Sequence, residues 1–90
     1  MNIIFAGTPA FALPTLQALH RTSHRIVAVY TQPDKAAGRG LKLTASPVKQ
    51  YALAHQLTIC QPVTLKAEAA LETLKTWQAE MMVVVAYGLL

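Results

Sequence analysis

Four short apolar runs divide the chain. They cover residues 2–6, 25–31, 57–60 and 81–88, and most of their residues are aliphatic, β-branched or aromatic. The run at 25–31 (RIVAVYT) shows no alternation with polar residues, which is typical of a strand that is covered on both faces of a parallel sheet. We therefore predict a strand in each of the four runs.

Helical patterns lie between the predicted strands. Apolar residues at helical spacing follow the first strand and predict a helix that starts between residues 10 and 13. Ser46, followed by a proline, is a good N-cap and predicts a second helix that extends to about residue 56. Residues 68–78 carry acidic side chains in their early turns and predict a third helix.

Regular alternation of strands and helices predicts the fold class. It is typical of an α/β, Rossmann-like parallel sheet with right-handed crossovers and helices on both faces. The expected order of the four strands is 3-2-1-4. Because the apolar residues 82–85 would otherwise form an exposed edge, we expect this sheet to be incomplete, with a fifth strand beside the fourth.

Composition narrows the class of protein. With 53% hydrophobic and 13% charged residues, the chain is not expected to be disordered. Its apolar runs are shorter than the roughly 20 residues of a membrane helix, so we expect a cytoplasmic protein without a membrane partner. Cys60 is the single cysteine and is expected to pack in the core. The three histidines, His20, His24 and His55, have no carboxylate partner at a metal-binding spacing, so we expect surface or helix-end roles and no metal.

Ligands of such sheets bind beyond the carboxyl ends of the strands. Gly7 ends the first strand there, but the two further glycines of a dinucleotide fingerprint are missing, and Gln32 replaces the acidic residue that would bind a ribose. The sequence also contains no phosphate-binding Gly-Lys-Ser or Gly-Lys-Thr motif. We interpret Asp34 as a turn residue rather than an acid catalyst, and Tyr51 and Trp77 as side chains that cover the sheet.

The segment PDKAAGRGLKLTASP is unusually long for a connection in an α/β fold. It concentrates three of the eight cations, Lys35, Arg39 and Lys42, and Gly38 and Gly40 free the backbone on both sides of the arginine. A cationic, hairpin-like excursion of this kind suits a groove lined with phosphates, because arginine binds phosphate through two parallel hydrogen bonds. A mobile, solvated loop is the alternative interpretation.

The segments IIFAGTPAFALPTLQAL, VYTQPDKAAGRGLKL, SPVK and MMVVVAYGLL, in this order and spacing, resemble the opening of the methionyl-tRNA formyltransferases. The resemblance covers the whole chain, and QPDKAAGRG is its most specific part. Ala10 departs from the family, which often has an acidic residue there.

The resemblance implies an enzyme that transfers a formyl group from 10-formyltetrahydrofolate to the amino group of initiator methionyl-tRNA in translation initiation, without a metal. It implies three groups of site residues. The tRNA-binding group is Lys35, Gly38, Arg39, Gly40 and Lys42. The group near the aminoacyl end is Gly7, Thr8 and Phe11. The wall of the folate pocket is Gly88, Leu89 and Leu90.

The resemblance also implies that residues 1–90 are the N-terminal part of the folate-dependent formyltransferase domain, without the rest of that domain and without the C-terminal barrel. The family catalyses the transfer with an asparagine, a histidine and an aspartate further along the chain, so we assign no catalytic residue and expect the 90 residues alone to be inactive. We expect the full-length enzyme to be monomeric. Two alternatives stay open, another folate-dependent formyltransferase or hydrolase, and a non-catalytic RNA-binding fragment.

Overall fold

A computed structural model of the chain describes residues 1–37, 42–63 and 68–88. In chain order, the elements are β1 (Asn2–Gly7), a 3-10 helix (Ala10–Ala12), α1 (Leu13–His20), β2 (Arg25–Tyr30), β3 (Lys35–Ala37), β4 (Lys42–Thr44), α2 (Pro47–Ala54), β5 (Ile59–Cys60), α3 (Glu68–Thr76) and β6 (Met81–Val85).

Four of these strands form one parallel sheet in the order β5-β2-β1-β6. With β3 and β4 set aside, this is the third, second, first and fourth strand, so the predicted order 3-2-1-4 is confirmed. The two central strands, β2 and β1, are the most buried, because both of their faces are covered. In the described part of the chain, β6 lies at the edge of the sheet, and its side chains Met81 and Val84 are exposed.

The core is divided between the two faces of the sheet, because successive side chains of a strand point in opposite directions. Phe5 and Val29 pack on one face with residues of α1 and α2, including Leu16 and Val48. The other face buries a second cluster, which Leu74 of α3 covers together with Trp77. That cluster consists of Ile4, Ala6, Ala28, Tyr30 and Tyr87. The predicted helices on both faces are confirmed, and so are the covering roles of Tyr51, which packs on the first cluster, and Trp77.

The ends of α2 show how local chemistry fixes its length. Ser46 caps the helix, because its side chain accepts a hydrogen bond from the Lys49 amide at 3.1 Å, as predicted. The helix ends two residues earlier than predicted, in a Schellman turn. Gln56 adopts a φ of 58° there, and the amides of Gln56 and Leu57 donate to the carbonyls of Leu53 and Ala52. Since Leu57 is used in this turn, β5 begins at Ile59 rather than at residue 57.

The last strand is also shorter than predicted. It ends at Val85 because the next residues turn sharply, with a φ of 53° at Ala86 and of 94° at Gly88. The third helix ends at Thr76 rather than at residue 78, and Gln78 follows it with a φ of 52°. Left-handed residues therefore mark all three of these boundaries.

The excursion after β2 is a hairpin at its base. β3 pairs with β4 in antiparallel fashion, with Lys35 opposite Thr44 and Ala37 opposite Lys42. This confirms the hairpin-like excursion, while the alternative of a mobile, solvated loop stays a prediction. None of the helices that the structure describes is long and apolar enough to cross a membrane.

Candidate functional site

The carboxyl ends of β1, β2 and β6 meet at the hydroxyl group of Thr8. This hydroxyl donates to the carbonyl oxygen of Tyr87 at 3.1 Å and accepts from the backbone amide of Gln32 at 3.2 Å. The Thr31 hydroxyl lies 3.5 Å from it. Thr8 thus connects the residues that follow three strands. It lies at the carboxyl ends of the strands, where ligands of this fold class bind, and we call this the ligand-binding edge of the sheet.

A second connection runs through the side chain of Gln32. Its Nε2 donates to the Tyr87 carbonyl oxygen at 2.7 Å, and its own backbone carbonyl accepts from Nε2 of Gln61 at 3.1 Å. Gly88 closes over this side chain. A Cβ atom at Gly88 would lie 1.9 Å from Gln32 Nε2, and the φ of 94° disfavours any L side chain. A glycine is therefore required at this turn.

Gly7 is required for a different reason. A Cβ atom there would lie 2.8 Å from the Phe5 ring, 2.8 Å from the Val85 carbonyl oxygen and 2.9 Å from the Ala12 Cβ. The contacts would be with β1, β6 and the 3-10 helix, and the contact with Val85 is with a backbone atom, which cannot move away as a side chain could. The missing side chain thus lets the end of β1 pack directly against β6 and the 3-10 helix.

A cavity of about 180 Å³ lies between the hairpin and this edge of the sheet. Its lining comes from both parts of the molecule, Thr8, Gln32, Pro33, Lys35, Thr44, Ser46 and Pro47. Lys35 is exposed on the hairpin and contributes the positive charge of the lining. Phe11 is also exposed, to 77%. Of the predicted residues, the structure therefore brings Thr8 and Lys35 to the same cavity.

Hydrogen bonds from the beginning of α2 hold the base of the hairpin. The hydroxyl oxygens of Thr31 and Ser46 lie 2.8 Å apart in a hydrogen bond that closes the excursion. Lys49 Nζ bonds both carboxylate oxygens of Asp34, at 3.1 and 2.9 Å. Next to it on the helix, Gln50 Nε2 donates to the Ala45 carbonyl oxygen at 2.8 Å. Both legs of the hairpin are thus bonded to the first turn of α2.

The interpretation of Asp34 as a turn residue is wrong. Asp34 lies directly before β3, outside any turn, and it accepts from Gln61 Nε2 at 2.8 Å in addition to its ion pair with Lys49. The hydrogen bonds from Lys49 and Gln61 lower the pKa of the Asp34 carboxyl below its ordinary value. An aspartate that is kept ionised in this way is suited to holding cationic and amide groups, not to donating a proton.

The first turn of α2 is not a free anion site. Pro47 has no amide hydrogen, the Val48 amide donates to the Thr8 carbonyl oxygen at 3.4 Å, and the Lys49 amide donates to Ser46. Among the residues that the structure describes, Lys35 of the hairpin supplies positive charge to the lining of this cavity.

A second cavity, of about 140 Å³, lies on the other face and is lined by Tyr30, Cys60, Gln61, Pro62 and Thr73. Trp77 Nε1 donates to the Tyr30 hydroxyl at 3.0 Å. Burial raises the pKa of Tyr30 to about 12, and burial also raises the pKa of Cys60. Because a reactive cysteine needs a lowered pKa, Cys60 acts as the packing residue that the sequence predicted.

The histidines occupy the predicted surface and helix-end positions. His20, the last residue of α1, shares a hydrogen bond of 2.9 Å with the Tyr51 hydroxyl, and the His55 ring packs 4.1 Å from the Tyr51 ring. His24 lies 3.2 Å from the N-terminal amino group. No group of three or more potential metal ligands lies together in the part of the chain that the structure describes.

Several predicted site residues fall outside the described residues. They are Gly38, Arg39, Gly40, Leu89 and Leu90. Lys42 lies in β4, opposite Ala37. Asn2 lies at the opposite edge of the sheet, where it pairs with Arg25. It is therefore separated from Asp34, the single aspartate, by the length of the sheet.

Sequence reasoning missed Gln32, Lys49 and Gln61 as site residues. Gln32 and Gln61 did carry a signal, because each directly follows a predicted strand at the ligand-binding edge. Lys49 carried none, since a lysine in the first turn of a helix is ordinarily a solvated side chain.

The sheet order, the glycine-dependent turns and the hairpin define the class of protein together with the sequence comparison. The family model "Formyl transferase" matches residues 1–90, and the chain belongs to this family. It is 58% identical over all 90 residues to the methionyl-tRNA formyltransferase of Hydrogenovibrio crunogenus (strain DSM 25203 / XCL-2). The chain spans 29% of the length of that relative.

Proposed function

We propose that the chain serves as the N-terminal part of an enzyme that formylates the amino group of initiator methionyl-tRNA with 10-formyltetrahydrofolate as donor. The observation that carries the proposal is the cationic hairpin beside the Thr8 cavity, in a chain that is 58% identical to a methionyl-tRNA formyltransferase. The proposed domain assignment places residues 1–90 in the first part of the folate-dependent formyltransferase domain.

The hairpin is the proposed contact with tRNA. Lys35 and Lys42 are the first residue of β3 and of β4, and Arg39 lies between the two strands in sequence. Cations on a projecting hairpin can bind several phosphates of an RNA end, and Gly38 and Gly40 allow the backbone to approach it closely. We assign Arg39 the main role, because a guanidinium group can bind a phosphate or a base edge through two hydrogen bonds.

The two reactants are proposed to meet near Thr8. Gly7, Thr8 and Phe11 would face the aminoacyl end, and Gly88, Leu89 and Leu90 would line one wall of the folate pocket. The hydrogen bond from Thr8 to the carbonyl oxygen of Tyr87, the residue before Gly88, supports this arrangement because it places the two segments side by side. The folate supplies the formyl group, and the residues of this chain position the partners around it.

We assign no catalytic residue to these 90 residues and infer that they do not transfer a formyl group by themselves. The chain has one asparagine and one aspartate, and these lie at opposite edges of the sheet, with Asp34 engaged by Lys49 and Gln61. From the family resemblance, the proposal includes a cytoplasmic, monomeric, metal-free enzyme.

Formylation of methionyl-tRNA by the full-length protein tests this function. Arg39→Ala should reduce kcat/KM for methionyl-tRNA by roughly 10- to 100-fold, which corresponds to the loss of about 1–3 kcal/mol of charge-assisted contact. The KM for the folate donor should stay unchanged. Arg21→Ala is a matched control, because Arg21 is exposed after α1, at the opposite edge of the sheet. Wild-type protein that formylates another amine but not methionyl-tRNA would favour the alternative of a different folate-dependent enzyme.

A further inference from the structure

An ion pair and an amide hold the base of the hairpin to the rest of the molecule. Asp34 lies one residue before β3, Lys49 is in the first turn of α2, and Gln61 directly follows β5. The side chains of Asp34 and Lys49 are only 26% and 19% exposed, and their 2.9 Å contact is joined by the 2.8 Å bond from Gln61. Three elements that are distant in sequence therefore converge on one carboxylate.

The geometry restricts how the hairpin can move. Lys49 contacts both carboxylate oxygens, and Gln61 Nε2 donates to both the Asp34 carboxylate and the Gln32 carbonyl oxygen. A residue with contacts in several directions cannot rotate without breaking at least one of them. Since Gln50 holds the other leg of the hairpin at Ala45, both legs are bonded to consecutive residues of α2.

We propose that Asp34, Lys49 and Gln61 are positioning residues that set the direction in which the hairpin is presented to the acceptor end of tRNA. The proposal rests on the proposed function, in which the hairpin contacts RNA. Lys49 itself is not a phosphate ligand under this proposal, because its charge is neutralised by Asp34. Its effect on tRNA is transmitted through the orientation of the hairpin.

The variant Asp34→Asn separates this role from simple electrostatics. It removes a negative charge beside the cationic hairpin, so a purely electrostatic effect would strengthen RNA binding. Loss of the positioning contact would weaken it. We expect Asp34→Asn and Lys49→Met each to raise the KM for methionyl-tRNA about 3- to 10-fold in the full-length protein, with the KM for the folate donor unchanged. Lys49→Arg should restore most of the tRNA affinity, because it can still pair with both carboxylate oxygens.

A matched ion pair is available as the control. Lys75 and Glu72 lie 3.4 Å apart on α3 and are 76% and 64% exposed, so Glu72→Gln and Lys75→Met should leave both KM values unchanged. Tighter or unaltered binding of methionyl-tRNA by Asp34→Asn would overturn the proposal.

Amide hydrogen exchange distinguishes failure of this proposal from failure of the proposed function, because it needs no substrate. In Asp34→Asn and Lys49→Met, the amides of β3 and β4 should exchange faster than in the wild type, while those of β1 and β2 keep their rates. Unchanged exchange in β3 and β4 would refute the positioning role even if the wild type formylates methionyl-tRNA. Absence of formylation by the wild type, together with faster exchange in the variants, would leave the contact established and reject its assignment to tRNA.

Discussion

Replacement of Gly88 by alanine is the sharpest test of the turn that follows β6. The φ of 94° is unfavourable for an L side chain by about 1–2 kcal/mol. The new Cβ would also lie 1.9 Å from Gln32 Nε2. The Gln32 side chain can rotate away, but it then loses its 2.7 Å bond to the Tyr87 carbonyl oxygen, which is worth about 1 kcal/mol. We therefore expect Gly88→Ala to lower the free energy of unfolding by about 2–3 kcal/mol.

Urea unfolding followed by circular dichroism measures this change. With a slope of about 1 kcal/mol per molar urea for a small protein, the midpoint should fall by about 2–3 M. The background Gln32→Ala separates the two contributions, because it lacks both the side chain that the new Cβ would meet and its hydrogen bond to Tyr87, so that only the backbone strain remains. There Gly88→Ala should cost about 1 kcal/mol less. The carbonyl oxygen of Tyr87 is not left unpaired in either background, because Thr8 also donates to it.

Ala86 provides the matched control in the same turn. Its φ of 53° is also left-handed, so Ala86→Gly should raise the free energy of unfolding by about 0.5–1 kcal/mol, opposite in sign to Gly88→Ala. Equal costs of Gly88→Ala with and without Gln32 would refute the proposed contact. A stabilising effect of Gly88→Ala would refute the assigned backbone conformation.

Three further predictions concern helix ends and ionisation. Gln56→Gly should stabilise the protein by about 0.5–1 kcal/mol, since the Schellman turn holds Gln56 at a φ of 58°, and Gln56→Ala should not. Ser46→Ala should lower the free energy of unfolding by about 1–2 kcal/mol in urea, because the Lys49 amide and the Thr31 hydroxyl each lose a hydrogen bond to Ser46. Ser46→Asp, which can still cap the helix, should cost less. Burial raises the pKa of Tyr30 from 10.0 to about 12. The contribution of the neutral Tyr30 to the free energy of unfolding should therefore be fully present below pH 10 and be lost as the pH rises through 12. Tyr30→Phe should remove this part of the pH dependence, and an unaltered profile would contradict it.

Most of the fold could be predicted from local sequence patterns. The apolar runs that became β1 and β2 are strands because burial on both faces requires continuous hydrophobicity, and this is visible in a few consecutive residues. The start of α2 was equally predictable, since Ser46 caps the helix through a bond that spans three residues.

The end of α2 and the polar contacts of the site could not be predicted in the same way. Gln56 occupies the left-handed position after the helix, where a glycine is usual. Because the residue is a glutamine, the sequence gives no sign of the turn there. The contacts of Asp34 with Lys49 and Gln61 cross 15 and 27 residues, and they depend on how the hairpin returns to the sheet. Such pairings follow from the three-dimensional fold and not from any local pattern.

The hydrogen bond between Thr31 and Ser46 has a consequence for how this family can diversify. It joins the two ends of the excursion through their side chains, whose hydroxyl oxygens lie 2.8 Å apart. Because closing a flexible loop twice as long costs only about 0.6 kcal/mol more, insertions or deletions between these two residues would hardly disturb the sheet. Evolution could therefore remodel the reach of the excursion while the framework beneath it stays intact.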